Sequence, residues 1–484
     1  MKRFWVGGIF FAITFTVLFS TRIGLLNLSG LSRQVNESIL NSPVKSVDYR
    51  NTWMNIFQNG KKIGYTHSTF SKENAGYLLK EDVFMRLNTM GFVQDINLKI
   101  KADLNQNLTL SSFDFNVNSG SFSFSAKGNL SNDVLMVETK SDDNRRNFNI
   151  KLKNKPYLMN NVIDTIRTEY LTPGQTLKYS VFDPATLGEQ EVTVNVIGKE
   201  KIKIMGELKN STKVSLSLRE STQYAWIGED GDVLKESGLL GITFEKTNQF
   251  DALVASPMNS SEDITLLSSI PSNILIENPN KLEKLFVTIE GIKKYERLQS
   301  GRQTLKDHLV TITKESIPNN VSFTVPKDIY DKYLEANAFI QSDHPKIKNL
   351  VQTIVNNTDS PIDKARKILA WMYKNIEKKP VLSIPDALST LENKVGDCNE
   401  HSILFAALLR ASGIPSQIEV GLVYLNGRFY YHAWNSLYLG DWITADSVFN
   451  QIPADVTHIR FASGDSQSDL ADIIGKIKLI VSLK

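Results

Sequence analysis

Over residues 52–247 the chain alternates apolar and polar residues with a period of two and punctuates that alternation with tight-turn signals; after Pro326 the period becomes helical. Ser-Phe-Ser-Phe-Ser-Ala at 121–126 and Val-Thr-Val-Asn-Val at 192–196 suit half-buried antiparallel strands, whose side chains point alternately to the two faces of a sheet. Asn59-Gly60 lies between strand-like runs at 53–57 and 63–70, and Glu229-Asp230-Gly231 between runs at 224–227 and 233–235, as hairpins require. These features predict a large antiparallel β domain over 49–255, curved into a sandwich or open barrel. The polar stretch 256–261 marks a boundary. A second β-rich segment is expected over 262–325, with strands near 284–289 and 308–312.

Past Pro326, Ile347, Leu350, Val351 and Ile354 recur at helical spacing, and Asp359-Ser360-Pro361 is a helix-start signal. A short helix is expected at 387–391, then one that follows Cys398 and ends near Gly413-Ile414-Pro415. Strands at 417–425, 428–438 and 442–446 follow, the first two joined by Asn426-Gly427. Helices ahead of an antiparallel meander give an α+β domain over 326–463, with 464–484 as a C-terminal segment.

The 484 residues suffice for roughly two to four domains of about 100–200 residues each. A hydrophobic content of 41% with 22% charged residues describes a globular chain. The formal charge of +3 and the lack of a basic stripe argue against nucleic acid as a partner. A single cysteine excludes an internal disulfide and a cysteine-rich zinc site. Lys2 and Arg3 precede an apolar run at 4–19 without a small-residue cleavage site. That pattern predicts an uncleaved signal-anchor helix over 1–26, a linker over 27–48, and a single-pass inner-membrane protein with its bulk periplasmic; a cleaved signal peptide is the alternative.

The lone Cys398 sits in Gly-Asp-Cys-Asn-Glu-His, at the start of the expected helix. Asp397 and Glu400 have the spacing of a capping box, which puts Cys398 in the first turn, where unpaired N–H groups and the helix dipole favour a thiolate. The two carboxylates oppose it. A histidine base is therefore needed, and His432 in Tyr-Tyr-His-Ala-Trp is the candidate, with Asp446 to hold its other nitrogen. The two fall opposite one another if the connecting turn is centred on Leu439. Tyr430 and Trp434, on the same strand face as His432, are candidates to line a substrate groove, and Trp371 and Asn393 to donate to an oxyanion. His458 reads as structural. Glu400 and His401 beside Cys398 do not make a converging ligand set, so no metal or other cofactor is expected.

Together Gly396-Asp397-Cys398, the apolar helix, Arg410-Ala411-Ser412-Gly413-Ile414-Pro415, His432-Ala433-Trp434 and Trp442-Ile443-Thr444-Ala445-Asp446 resemble the core of the transglutaminase-like superfamily of papain-type thiol enzymes. The resemblance spans roughly residues 338–463. It implies Cys398 as nucleophile, His432 as base and Asp446 as orienter. The family often has Asp-Pro-Thr at its third motif, whereas Ser447-Val448 follows Asp446 here. An anchor and a β-rich region ahead of such a core are similar to bacterial envelope proteins, whose substrates do not transfer with the resemblance; the expected partners are a peptide or protein substrate for the thiol chemistry and an envelope protein for the β domain. Three activities stay open: hydrolysis of a peptide or amide through a thioester, transfer to an amine with cross-linking, and a scaffold that keeps the fold without turnover.

Overall fold

The computed structural model describes residues 49–483 except 74, 121, 142–143, 166–171, 219–220, 256–257, 293–294, 318–324, 382–383 and 465–473. It is rich in strands, and the chain divides after Ile264 into two compact units.

In the first unit, fifteen strands among the described residues form one sheet, and the chain enters it in the middle. Tyr49–Gln58 pairs on one side with Lys61–Glu73 and on the other with Ile242–Thr247, the last strand of the sheet. Eight strands run outward from that seam to an edge at Asn144–Lys151; the next, Tyr157–Leu158, lies at the opposite edge, and the rest run back. A flat sheet of this width would separate its edges by about 65 Å at the usual strand spacing. The five residues 152–156 reach only about 20 Å. The sheet must therefore curl, and a Leu110 N–H to Pro156 carbonyl bond stitches the returning chain to it. The period-two rows follow: Leu79, Val83, Met85 and Leu87 are buried on one face, with Glu81 in the same row bonded to Thr66. Asn59 and Gly60 both have positive φ, as the turn between the first two strands demands.

In the second unit everything is arranged around Cys398–Ala411, termed the cysteine helix. Its run Ile-Leu-Phe-Ala-Ala-Leu-Leu has no polar stripe, and a helix apolar all round must be covered all round. It packs on the histidine strand, Arg428–Tyr438, and on Ser416–Leu425, with Pro345–Ile354, Pro361–Asn375 and Ala387–Asn393 against its remaining surface. Ser360 caps Pro361–Asn375 with its side chain. Arg410 ties the end of the cysteine helix to the next strand by donating to the Ser416 carbonyl.

The sheet behind this helix runs Ile270–Pro271, Arg428–Tyr438, Ser416–Leu425, Ile459–Ser463, and Trp442–Ala445 also pairs with the histidine strand. A second, four-stranded sheet runs Gln303–Lys306, Leu309–Thr313, Lys284–Glu290, Lys478–Ser482, so the stretches expected over 262–325 and 464–484 share a sheet. Its Arg302 pairs with Glu315 at 2.7 Å; Arg302 donates to the carbonyls of Ala454, Asp455 and His458, and Glu315 accepts from the Thr444 N–H.

The expected single-pass inner-membrane placement is corrected: no helix among the described residues is long and apolar enough to cross a membrane. The segments read as an anchor over 1–26 and a linker over 27–48 lie outside the described residues.

Two substitutions test this packing. Gly421 faces His432 on one side and Arg460 on the other, and a Cβ there would lie 1.9 Å from the Ile459 carbonyl oxygen. Because backbone cannot step aside as a side chain can, Gly421→Ala is expected to cost about 3 kcal/mol, read as a lowered melting temperature. Burial pushes the Glu419 carboxyl up to about 7, although the Arg460 charge, the Ser436 hydrogen bond, Arg302 and Gln417 pull it down. A raised folded value means that its contribution to stability is full below the unfolded carboxyl range and fades as pH rises through about 7. Glu419→Gln is thus expected to gain melting temperature relative to the parent on going from pH 5 to pH 8; a pH-independent difference would refute the buried carboxyl.

Candidate active site

The Asp397 side chain accepts from the Asn399 N–H and Glu400 reaches back to the Asp397 N–H at 2.9 Å, so the capping box is formed. Glu400 can fold back because Gly396 has no side chain: a Cβ there would lie 2.3 Å from that of Glu400. Cys398 consequently occupies the first turn, wholly buried, and its sulfur takes the Ala433 N–H from the histidine strand. A second tie between the two elements runs from the Asn435 amide to the Ser402 carbonyl at 2.9 Å.

His432 lies on that strand one residue before Ala433, and its Nε2 is 2.6 Å from Asp446 Oδ2. The pair is not directly opposite. The strand pairing runs Asn435 to Ala445, Ser436 to Thr444 and Tyr438 to Trp442, which centres the turn on Gly440 rather than Leu439. The Leu439 N–H bonds the Asp441 carbonyl, and Gly440 takes the positive φ. In this register Asp446 follows the strand diagonally from His432, within side-chain reach. The Asp446 backbone then exchanges both hydrogen bonds with Gln451, and its Oδ1 accepts from the N–H groups of Val448 and Phe449, a turn built without the Pro-Thr common in the family.

His458 was not expected here. Its Nε2 lies 3.0 Å from the same Asp446 Oδ2, while its Nδ1 faces Asp455, 3.1 Å from the carbonyl and 3.3 Å from Oδ1. A histidine behind a short, distant strand carries no local signal of such a contact; only the pairing of Ile459–Ser463 with Ser416–Leu425 brings it in. Tyr430 is half-buried, and Trp434 is only 1% exposed, packed against the rings of His432 and His458 rather than lining an open groove. Trp371 is half-buried on its helix, and Asn393 is exposed at the end of its own.

The electrostatics divide sharply. Burial pushes the Cys398 thiol well above its ordinary value, the Asp397 charge adds to that, and Glu400 and Asp446 act the same way against the Ala433 N–H. The capping-box carboxylates and burial thus outweigh the favourable helix start. Burial also works against the Asp446 carboxylate, but the charges and hydrogen bonds of His432 and His458 win and hold it well below the usual carboxylate range. His458 is pushed up to about 9: burial opposes its charge, and Asp455 and Asp446 more than compensate. His401, one turn beyond Cys398, has Nδ1 at 2.8 Å from the Asp397 carbonyl; burial and then the Lys378 charge bring it down to about 4. Lys378 is paired opposite Gly396 with its Nζ 3.5 Å from the Tyr373 ring centre, and burial lowers it to about 8 against the pull of Asp446.

His432, Asp446 and His458 offer ligand atoms within 4.8 Å of one another, a donor set of the kind that holds zinc. Ligands at about 2.0–2.1 Å around a tetrahedral ion stand roughly 3.3 Å apart. The 2.6 Å contact is a hydrogen bond, and binding an ion would need the cluster to spread.

Residues 348–447 match the transglutaminase-like superfamily. The chain carries a transglutaminase-like core. Cys398, His432 and Asp446 fall inside the match; Asp455 and His458 fall beyond it. Over 206 residues the chain is 28% identical to an uncharacterised protein of Haemophilus influenzae, covering 35% of this chain and 54% of that one. The chain therefore spans about half the length of this curated relative. Among solved structures it is similar to a candidate cysteine protease of Cytophaga hutchinsonii (18% identity, 42% of this chain and 82% of that chain, TM-score 0.28). It is also similar to a β-barrel-like protein of a domain of unknown function from Brucella abortus (10% identity, 42% and 96%, TM-score 0.32).

The assigned cause of the raised thiol is open to measurement. Asp397→Asn keeps a good helix cap while removing the largest opposing charge. It is expected to speed Cys398 alkylation at pH 7 several-fold with a stability change within about 1 kcal/mol; an unaltered rate would show that Asp397 does not govern the thiol.

Proposed function

We propose that the transglutaminase-like core is a cysteine-dependent acyl-transfer enzyme that hydrolyses peptide or amide bonds, with Cys398 as nucleophile, His432 as general base and acid, and Asp446 as its orienter. One observation carries the reading: the sulfur is held by the N–H of Ala433, next to a histidine whose Nε2 is committed to a buried carboxylate. That leaves Nδ1 as the nitrogen that exchanges protons.

With the thiol neutral at rest, the proton moves in the course of attack. As the Cys398 sulfur bonds to the carbonyl carbon, its proton passes to His432 Nδ1 and the carbonyl electron pair moves onto oxygen. The backbone N–H of Cys398, which lies between the two N–H groups taken by the capping box, is assigned as an oxyanion donor. The oxyanion collapses, the C–N bond breaks, and His432 gives its proton to the departing amine. Water then adds to the thioester while His432 takes its proton; the C–S bond breaks, the acid leaves, and the proton returns to sulfur. Asp446 keeps Nε2 protonated throughout, so Nδ1 is always the working atom. Water needs no second binding site, which is why hydrolysis is preferred to transfer onto an amine.

A scaffold without turnover is the second reading, and burial is the observation that favours it: Cys398, His432 and Asp446 are each at most 1% exposed, so a substrate enters only if its cover moves.

The test is the pH dependence of Cys398 alkylation by iodoacetamide in the full chain, beside His432→Ala, followed by incubation with a mixed peptide pool. Because the resting thiol is neutral, we expect alkylation near neutral pH only with His432 as proton acceptor, so that its rate falls about 100-fold in the variant, and new peptide ends that vanish in Cys398→Ala. Isopeptide bonds without free ends would make an amine the acceptor. A thiol indifferent to His432 would leave the scaffold.

A further inference from the structure

We infer that His458 is a positioning residue of this site: a buried imidazolium clamped between Asp446 and Asp455, which fixes the Asp446 carboxylate and offsets its charge so that Asp446 can act on His432. The inference rests on the reading of Cys398, His432 and Asp446 given above.

Hydrogen-bond accounting supplies the charge. A neutral imidazole has one N–H and one lone pair. His458 Nε2 faces a carboxylate oxygen, and Nδ1 faces a carbonyl and a second carboxylate oxygen, all of them acceptors. Both nitrogens must carry hydrogen, because a lone pair on either would point at oxygen in a place with no exposure to water. The raised value of about 9 agrees with this geometry.

The same accounting explains what the imidazolium does. Asp446 receives four N–H groups: Val448 and Phe449 on Oδ1, His432 and His458 on Oδ2. Four donors fill the acceptor capacity of a carboxylate, so it has no reason to rotate. Without His458 the carboxylate would keep its charge in a buried place with one donor fewer. The field changes as well. Asp446 opposes a negative sulfur on Cys398, and a cation at His458 counters that opposition. The groups that face His458 are Asp446, Asp455 and His432, whose ring centre is 5.6 Å away, together with the rings of Trp434 and Phe449. Its backbone is held from the neighbouring sheet by Arg302, itself paired with Glu315, so the loop that carries it is anchored independently of the ring.

Two measurements on the full chain test this. In histidine-¹⁵N-labelled protein, the His458 side chain, assigned by its loss in His458→Gln, is expected to show both nitrogens protonated at pH 7.5 and to lose a proton only near pH 9. A neutral ring at pH 7.5 overturns the inference, and because this is read in the parent protein it does not depend on a variant folding. In His458→Gln, the pH midpoint of Cys398 alkylation by iodoacetamide is expected to move up by about one unit, the size of one charge lost several ångströms away in a protein environment. A rate lowered uniformly with the midpoint unmoved would mean a merely structural histidine and would overturn the positioning role. Thiol reactivity in the parent that ignores His432→Ala overturns the enzyme reading first, and the positioning role with it; a neutral His458 beside a His432-dependent thiol overturns this inference alone.

Discussion

A carboxylate removed from water must be surrounded by donors, and Asp446 is the group on which the second unit turns. Its needs reach in three directions: to the histidine strand, to the loop that follows its own strand, and to a second histidine just ahead of Ile459–Ser463. Each partner is then fixed by something else. His458 is placed by the pairing of Ile459–Ser463 and by the Arg302 clamp on its loop; His432 is placed by a strand pressed against the cysteine helix. Buried charges of this kind are weak evidence for stability, but removing one partner is costly because it leaves the others uncompensated.

The cysteine helix obeys a different constraint. An apolar run with no polar face cannot lie on a surface, so helices and sheet close around it and carry its first turn into the interior with Cys398 on it. The capping box secures that turn at an electrostatic cost to a thiolate, because the groups that satisfy the helix N–H donors are carboxylates. Structural and chemical demands conflict at Asp397 and Glu400. A thiol held in its protonated form is the physical outcome.

Local chemistry was legible in the sequence. The helix start at Ser360-Pro361, the capping box around Cys398, the Asn59-Gly60 and Asn426-Gly427 turns and the antiparallel character of the first unit all follow from short-range rules. What depended on distant pairing was not. The register between His432 and Asp446 shifted by one turn position because Gly440, not Leu439, accepts the positive φ. His458 passed as structural because nothing near it in sequence announces Asp446 as its neighbour. Trp434 follows the strand period expected of it, but period two says only which face a residue shares, and this face is sealed.

The seam of the fifteen-stranded sheet bears on how the protein is made. Most neighbours in that sheet are joined by hairpins, yet Tyr49–Gln58, at its centre, has to wait for Ile242–Thr247, the last strand to be synthesised. During translation each half can grow outward from local turns, while the first strand offers an unpaired edge to whatever else is nearby. Loop-closure entropy grows only slowly with length, so the long wait adds little to the final cost of the seam. Its burden falls on time rather than stability: nearly two hundred residues must leave the ribosome before the centre of the sheet can close.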